Sequence, residues 1–329
     1  MFYTKKSDNI VKCELCPVGC SIPEGQRGVC RARKNINGEL YSLVYEKPVA
    51  MNIDPIEKKP LLHFHPESKI FSIATAGCNL RCTFCQNWQI SHADPLKTDT
   101  RKISPEAIVE LAEKYGSKSI AYTYTEPTVY YEYMFDIARL AKKKEMKNVL
   151  ISCGNINEKP LKKLIPYLDA ANIDLKGFSD SFYKEHTTGT KEPVLRSLKI
   201  LEEAGVHLEI TNLVIPGSND DMKTIKKMCL WIKKELGENT VLHFSRFSPA
   251  HKLMNKPPTP EKTLRKAREI ALKAGLKYVY IGNIRTEAED TYCPKCGKKI
   301  IDRSGYQIKS IKMKNGKCGF CGETIDGVW

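Results

Sequence analysis

The stretch Ala76-Gly77-Cys78-Asn79-Leu80-Arg81-Cys82-Thr83-Phe84-Cys85-Gln86-Asn87-Trp88 decides how this chain is read. Three residues, then two, separate its three cysteines. Fe–S clusters are held by cysteine thiolates, and ordinary ferredoxin runs supply a fourth. Here the next cysteine is Cys153, far along the chain. Three thiolates on one tight loop therefore suit three irons of a cubane cluster and leave the fourth iron open. An open iron can bind a small molecule, which turns an electron carrier into a catalyst. The plainer readings are a zinc knuckle or three unrelated buried cysteines, but clustered thiolates in an intracellular chain are seldom idle.

Downstream of this loop the sequence alternates. The run Ile70-Phe-Ser-Ile-Ala-Thr75 reads as the strand that leads into it, and further strands are expected at 119–124, 147–152, 170–175, 207–214, 241–246 and 278–282. Helices are expected between them. One opens with Ser104 as N-cap and Pro105 at N1, and should bury Ile108, Leu111, Ala112 and Tyr115. Another begins at Thr259-Pro260-Glu261 and continues through Leu264, Ala267 and Ile270-Ala271. Regular β-α alternation implies a parallel sheet with right-handed crossovers. Six or seven units are too few for a closed eight-stranded barrel.

Active groups of such sheets lie at the carboxyl ends of the strands. There the sequence places Cys78 to Cys85, then Thr123-Tyr124-Thr125-Glu126-Pro127, then Ser152-Cys153-Gly154-Asn155, then Asp174-Leu175-Lys176. Asn212 with the Ile215-Pro216-Gly217 turn, His243 and Arg246, and Gly282-Asn283 follow on the last three strands. Cys153 and Cys229 read as inert buried thiols.

Cysteine sets flank this region on both sides. Cys13, Cys16, Cys20 and Cys30 lie in a short Gly-rich segment that can hardly fold on apolar burial alone. A bound metal is the natural staple there, either zinc or a second Fe–S cluster. Residues 46–66 carry Pro48, Pro55, Pro60 and Pro66 and read as an irregular connector, in which His63 and His65 have a spacing that can ligate a metal, although packing or exposed histidines are the commoner outcome. In the tail, Cys293-Pro-Lys-Cys296-Gly and Cys318-Gly-Phe-Cys321-Gly form paired knuckles, the pattern of a zinc ribbon. The expected units are thus an N-terminal four-cysteine module with linker (1–66), the α/β region (67–286) and the ribbon (287–329).

Composition narrows the class. The 329 residues are 41% hydrophobic and 28% charged, as in a soluble globular chain. No apolar run reaches the ~18 residues of a membrane span, and the first residues lack the apolar core of a signal peptide. A cytoplasmic protein is expected, with its thirteen cysteines serving metals rather than disulfides. The formal net charge of +15 favours acidic partners. Glutamine occurs only at 26, 86, 89 and 307 amid abundant lysine and glutamate, which also fits a Lys-rich surface from a thermophile.

The cysteine spacing, with the aromatic Phe84 before the third cysteine, resembles the signature of the radical S-adenosylmethionine (radical SAM) enzymes. The resemblance implies an open partial (β/α)6 barrel, a [4Fe-4S] cluster on Cys78, Cys82 and Cys85, and S-adenosylmethionine bound at its open iron. One electron then cleaves SAM to methionine and a 5′-deoxyadenosyl radical that abstracts hydrogen from a substrate. Within that superfamily the chain resembles the pyruvate formate-lyase activating enzyme group, and the radical SAM member of the AmmeMemoRadiSam system more closely still. The motifs that carry this are the four-cysteine start, Asp54-Pro-Ile-Glu-Lys-Lys-Pro-Leu61, Cys85-Gln-Asn-Trp88, Tyr122-Thr-Tyr-Thr-Glu126-Pro-Thr128, Tyr278-Val-Tyr-Ile-Gly-Asn-Ile284 and the terminal ribbon.

The same resemblance assigns SAM contacts. Glu126 would hold its amino group, although the family's paired glycines are missing here. Asp174 and Lys176 would follow strand four, Ser152 and Asn155 would lie near the sugar, and Phe84 would pack by the adenine. It also implies a low-potential electron donor such as ferredoxin or flavodoxin. The substrate would be a glycyl radical protein, another protein, a metabolite or RNA. A metal-dependent nucleic-acid or protein binding module, using the outer cysteine sets and the basic surface, is the alternative of a different class.

Overall fold

The computed structural model describes residues 1–329. Eight strands form one mixed sheet: β1 (Pro48–Pro55), β2 (Lys69–Thr75), β3 (Ser119–Tyr122), β4 (Lys147–Ser152), β5 (Ala170–Asp174), β6 (His207–Val214), β7 (Val241–Arg246) and β8 (Val279–Gly282). They lie in chain order across the sheet, β2 to β8 parallel and β1 antiparallel on the β2 edge. All seven expected strands are present, and the arrangement is that of a partial barrel with β1 and β8 as its unpaired edges. Consecutive parallel strands require crossovers, and helices supply them. The helix Pro105–Lys114 starts where expected: Ser104 Oγ accepts from the Ala107 N–H, and Ile108, Val109 and Ala112 are buried. Tyr115, expected on that buried face, is 48% exposed.

The connector expected at 46–66 is structured. Pro48 to Pro55 make the edge strand β1, whose terminal prolines occupy positions that a strand tolerates. Residues 56–66 then cross the amino ends of the strands. There Ile56, Leu61 and Phe64 pack with Ile70, Ala121, Val149 and Ala170 and close the floor of the barrel.

The expected N-terminal four-cysteine metal module is overturned. The four ligand sulfurs that lie within 4.8 Å of one another belong to Cys293, Cys296, Cys318 and Cys321, in the C-terminal region. Cys13, Cys16, Cys20 and Cys30 do not converge in this way. Isolation was the wrong premise, because the segment does not fold alone. Its Val11, Leu15, Ile22, Ala32, Leu40 and Val44 belong to the same buried cluster as the barrel core, together with Cys13 and Cys30. Burial pushes the Cys16 thiol up to about 12 and raises Cys13 and Cys30 as well.

The tail forms a small antiparallel sheet (291–292, 299–304 and 307–311) with a second hairpin at 313–318. Its Cys293, Ile300, Cys318 and Ile325 pack on Leu62, Val241, Tyr278 and Tyr280 of the floor and last strands. Val328 pairs with Phe64, so the floor and the tail are joined.

A fully buried carboxylate organises this junction. Glu209, on β6, accepts from the Leu62 N–H (3.0 Å), the His63 N–H (2.8 Å), His207 Nε2 (3.1 Å) and His243 Nε2 (2.6 Å). Burial alone would raise its carboxyl, but the two histidines hold it well below the usual range. His63 beside it is neutral: burial pushes its imidazole down to about 3, against the attraction of Glu209. An unfolded histidine titrates near ~6.5. Below that pH the unfolded chain takes up a proton that the folded chain refuses. Stability therefore falls as pH drops from ~6.5 towards 3, by as much as ~1.4 kcal/mol per pH unit. The melting temperature should drop between pH 6.5 and pH 4, and less steeply in His63→Gln; equal slopes in calorimetry would remove His63 as the cause.

Candidate active site

At the carboxyl ends of the parallel strands lies a cavity of about 1200 Å³. Cys78, Cys82, Phe84 and Cys85 line one side of it, with Thr123 and Thr125 after β3, Ser152 and Cys153 at the end of β4, and Asp174 and Lys176 after β5. A pocket for one small ligand is ~300–1,000 Å³. This one has room for more than one molecule.

The cysteine loop is held from several sides. Cys78 and Cys82 are each 8% exposed. The Leu80 N–H points at Cys78 Sγ (3.4 Å), Cys85 Sγ meets Ser91 Oγ (3.3 Å), and Arg81 Nη1 donates to the Cys78 carbonyl (2.9 Å). Gly77 has φ +99°, and a Cβ there would lie 2.7 Å from the Cys30 carbonyl oxygen. Only glycine allows the N-terminal segment to approach so closely. Burial pushes the Cys82 thiol up to about 11, partly countered by Lys176, and raises Cys78 further. Buried thiols of this kind hold their protons until a metal displaces them. Three thiols on one cavity wall, without a fourth from the same loop, fit a cluster with an open iron.

Asp174 and Lys176 form an ion pair (2.8 Å), and Lys176 Nζ lies 5.7 Å over the Phe84 ring. Asp174 keeps 36% of its side chain exposed and so can accept from a ligand. Glu126 and Asn155 do not reach the cavity wall. Glu126 is fully buried. Its Oε1 takes Ser152 Oγ (2.8 Å) and Thr128 Oγ1 (2.8 Å), and its Oε2 takes the Cys153 N–H (2.8 Å). It ties the end of β4 to the turn after β3. Asn155 is buried beneath the cysteine loop, where its carbonyl accepts from Asn79 Nδ2 (2.8 Å). Cys153 lines the cavity, and burial holds its thiol protonated; Cys229 is buried in the core.

Several cavity groups escaped the sequence reading. Lys59 lines the wall with its ammonium on Asp54 (2.6 Å), and Asp54 also accepts from Ser72 Oγ (2.9 Å) and Tyr124. Burial pushes Lys59 down to about 8, with Asp54 opposing. Arg303 with Ser304 to Gln307 of the tail hairpin line the far part, beside His243, which the sequence did place at a strand end and whose Nε2 lies on Glu209. The motif Asp54-Pro-Ile-Glu-Lys-Lys was the available signal for Lys59. None pointed to the hairpin.

Comparison with known proteins follows this geometry. The family model described as "Radical SAM superfamily" matches residues 72–229. An uncharacterized protein of Methanocaldococcus jannaschii is 48% identical over 329 residues, covering 99% of this chain and 98% of the relative. The pyruvate formate-lyase-activating enzyme of Clostridium pasteurianum is 23% identical over 160 residues, covering 48% of this chain and 66% of that enzyme. The solved structure of Streptococcus suis SuiB bound to S-adenosylmethionine superposes with a TM-score of 0.52 at 14% identity, covering 73% of this chain and 56% of SuiB. At that identity the likeness is one of fold.

Proposed function

This chain belongs to the radical SAM superfamily, and from that premise we propose that Cys78, Cys82 and Cys85 hold a [4Fe-4S] cluster against which S-adenosylmethionine is seated. Bound there, the cluster supplies the electron that cleaves SAM to methionine and a 5′-deoxyadenosyl radical, which abstracts hydrogen from the substrate. The protein is a radical SAM enzyme, and within the superfamily we read it as similar to the pyruvate formate-lyase activating enzymes. The observation that carries this reading is the sharing of one cavity by the three thiols, Phe84, Ser152, Asp174 and Lys176.

The chain's own groups do the positioning. Asp174 would accept from the SAM ammonium, and Lys176, fixed by Asp174, would face the SAM carboxylate as a charge-assisted donor. Phe84 offers an apolar wall. Glu126 acts at one remove, by fixing Ser152 and the Cys153 backbone. The far part of the cavity, with Lys59, His243 and the tail hairpin, is left for substrate, so the tail contributes to substrate binding as well as to the fold. The tail cysteines would hold zinc, since four sulfurs this close suit one tetrahedral ion. No helix is long and apolar enough to cross a membrane. Candidate substrates remain a glycyl radical protein, another protein, a metabolite or RNA, and the electron would come from a ferredoxin or flavodoxin.

Anaerobically reconstituted protein should release 5′-deoxyadenosine from SAM under a strong reductant, and its absence with a full iron load would sink the reading. Asp174→Asn should weaken SAM binding by ~1–3 kcal/mol, the cost of a lost charge-assisted bond, at unchanged iron content. Unchanged affinity in calorimetry would take Asp174 out of the site.

A further inference from the structure

The far part of the cavity has a polar floor. Thr211 on β6, His243 on β7 and Tyr280 on β8 lie side by side in register, and all three line the cavity. Two of them are already bonded. Thr211 Oγ1 donates to Asn172 Oδ1 (2.9 Å), and the Tyr280 hydroxyl lies between His63 Nε2 (2.6 Å) and Thr291 Oγ1 (2.8 Å). His243 differs. It is 2% exposed, and its Nε2 lies on the Glu209 carboxylate (2.6 Å). A carboxylate only accepts, so Nε2 carries the proton and the neutral ring offers a bare Nδ1. That atom has no protein partner, and it is not closed off as the unpartnered Nε2 atoms of His65 and His251 are. From so deep a position it opens only onto the cavity that His243 lines. One row nearer the mouth on the same strand, Ser245 Oγ is likewise unpartnered and open.

A cation stands beside this acceptor. Arg303 lies 5.9 Å over the Tyr280 ring, and that ring stacks on His243 (5.5 Å between centroids). Arg303 is 6% exposed and has no carboxylate partner. Its Nη1 donates to the Glu289 carbonyl (3.1 Å) and Thr291 Oγ1 (2.7 Å), and its Nη2 to the Leu62 carbonyl (2.9 Å). Its Nε is closed off, which leaves one Nη2 hydrogen for a ligand. Glu57 and Glu289, the carboxylates of this part, are turned to the backbone N–H groups of Glu67, Thr286 and Gly305. Neither forms an ion pair with Arg303.

A buried acceptor without a donor costs free energy, and so does a buried guanidinium without a counter-charge. One molecule that brings a hydroxyl and a negative charge satisfies both. We propose that the substrate is a small hydroxylated anion, its hydroxyl donating to His243 Nδ1 and its carboxylate or phosphate facing Arg303. This assignment rests on the radical SAM reading above. No unmodified amino-acid side chain carries both groups, so a metabolite is favoured over a protein. Glu209 is a positioning residue here, because it fixes which ring nitrogen of His243 is bare.

Four probes separate the parts. Glycerate and glycerol 3-phosphate carry both groups, glycerol lacks the charge, and propionate lacks the hydroxyl. Binding is read by anaerobic calorimetry on the full-length enzyme loaded with cluster and SAM, without reductant. Glycerate or glycerol 3-phosphate should bind at least ~10-fold more tightly than glycerol and propionate, since a site built to bond a hydroxyl rejects the analogue without it. The tighter of the two identifies the anionic group. His243→Gln keeps a donor for Glu209 and removes the acceptor. It should bring the hydroxylated anion to the level of propionate, at wild-type melting temperature and iron content. In Arg303→Gln the preference over glycerol should vanish. In the full chain labelled with [15N]histidine, nuclear magnetic resonance should find the proton of the neutral His243 ring on Nε2. A proton on Nδ1 instead would overturn the proposal. So would equal binding of all four probes, or an unchanged affinity in His243→Gln. A wild type that shows the preference yet releases no 5′-deoxyadenosine under reductant fails the enzyme reading alone. One that releases it without the preference fails this inference alone.

Discussion

Replacing Cys78, Cys82 and Cys85 together by alanine is expected to abolish 5′-deoxyadenosine formation and the SAM-responsive electron paramagnetic resonance signal in a chain that remains folded. The loss should be complete because no other cysteine can take over. Cys153 borders the same cavity but lies on a different strand end, and the tail sulfurs are committed to one another. The fold should survive because Cys78 and Cys82 are only two of the 62 residues in the large buried cluster that runs through the sheet and its helices, and Cys85 lies at its margin. Each substitution removes one sulfur from a wall that already faces a cavity, so only a modest void is added. The zinc proposed for the tail would supply an internal control, expected at wild-type level in the triple variant. A variant that kept the SAM-responsive signal would falsify the cluster assignment.

Glu209→Ala should have the largest effect on stability of any single substitution away from the cysteines. It removes the acceptor of four buried donors at once: two backbone N–H groups of the floor and the Nε2 atoms of His207 and His243. The N–H of the fully buried His63, once orphaned, cannot turn to water. Breaking such a buried charged set costs ~3–5 kcal/mol. Glu209→Gln should cost less, since an amide oxygen still accepts from one side. Chemical denaturation of the two variants gives the comparison. If Glu209→Ala unfolds within ~1 kcal/mol of wild type, the network is incidental.

The parallel sheet was legible because its signal is local. Each strand is a short apolar run ending in polar groups, and β-α alternation fixes what those ends share. The cysteines, Ser152, Asp174 and Lys176 do open onto one cavity. Glu126 was harder to place, because a carboxylate at a strand end looks the same in sequence whether it faces a ligand or, as here, accepts from its own chain. The strand β1 was hidden by the prolines that bracket it, which read as punctuation although an edge strand tolerates them. The N-terminal cysteines misled for a different reason. Their spacing says nothing about what lies against them, and the shared core removes the need for a metal staple. The tail hairpin at the cavity is a long-range contact, for which no local pattern exists.

The pairing of Phe64 with Val328 also sets a timetable for synthesis. The floor at 56–66 is made early, yet His65 N–H and the His63 carbonyl bond to Val328, made 263 residues after His65. Domains begin to fold as they leave the ribosome. The strands β2 to β8 can therefore assemble while the base of the barrel is still unlatched. Until Val328 has emerged, residues 56–66 close the floor without the two backbone bonds that latch it to the tail. A chain ending before Val328 should therefore exchange the His65 amide proton faster than the full chain does.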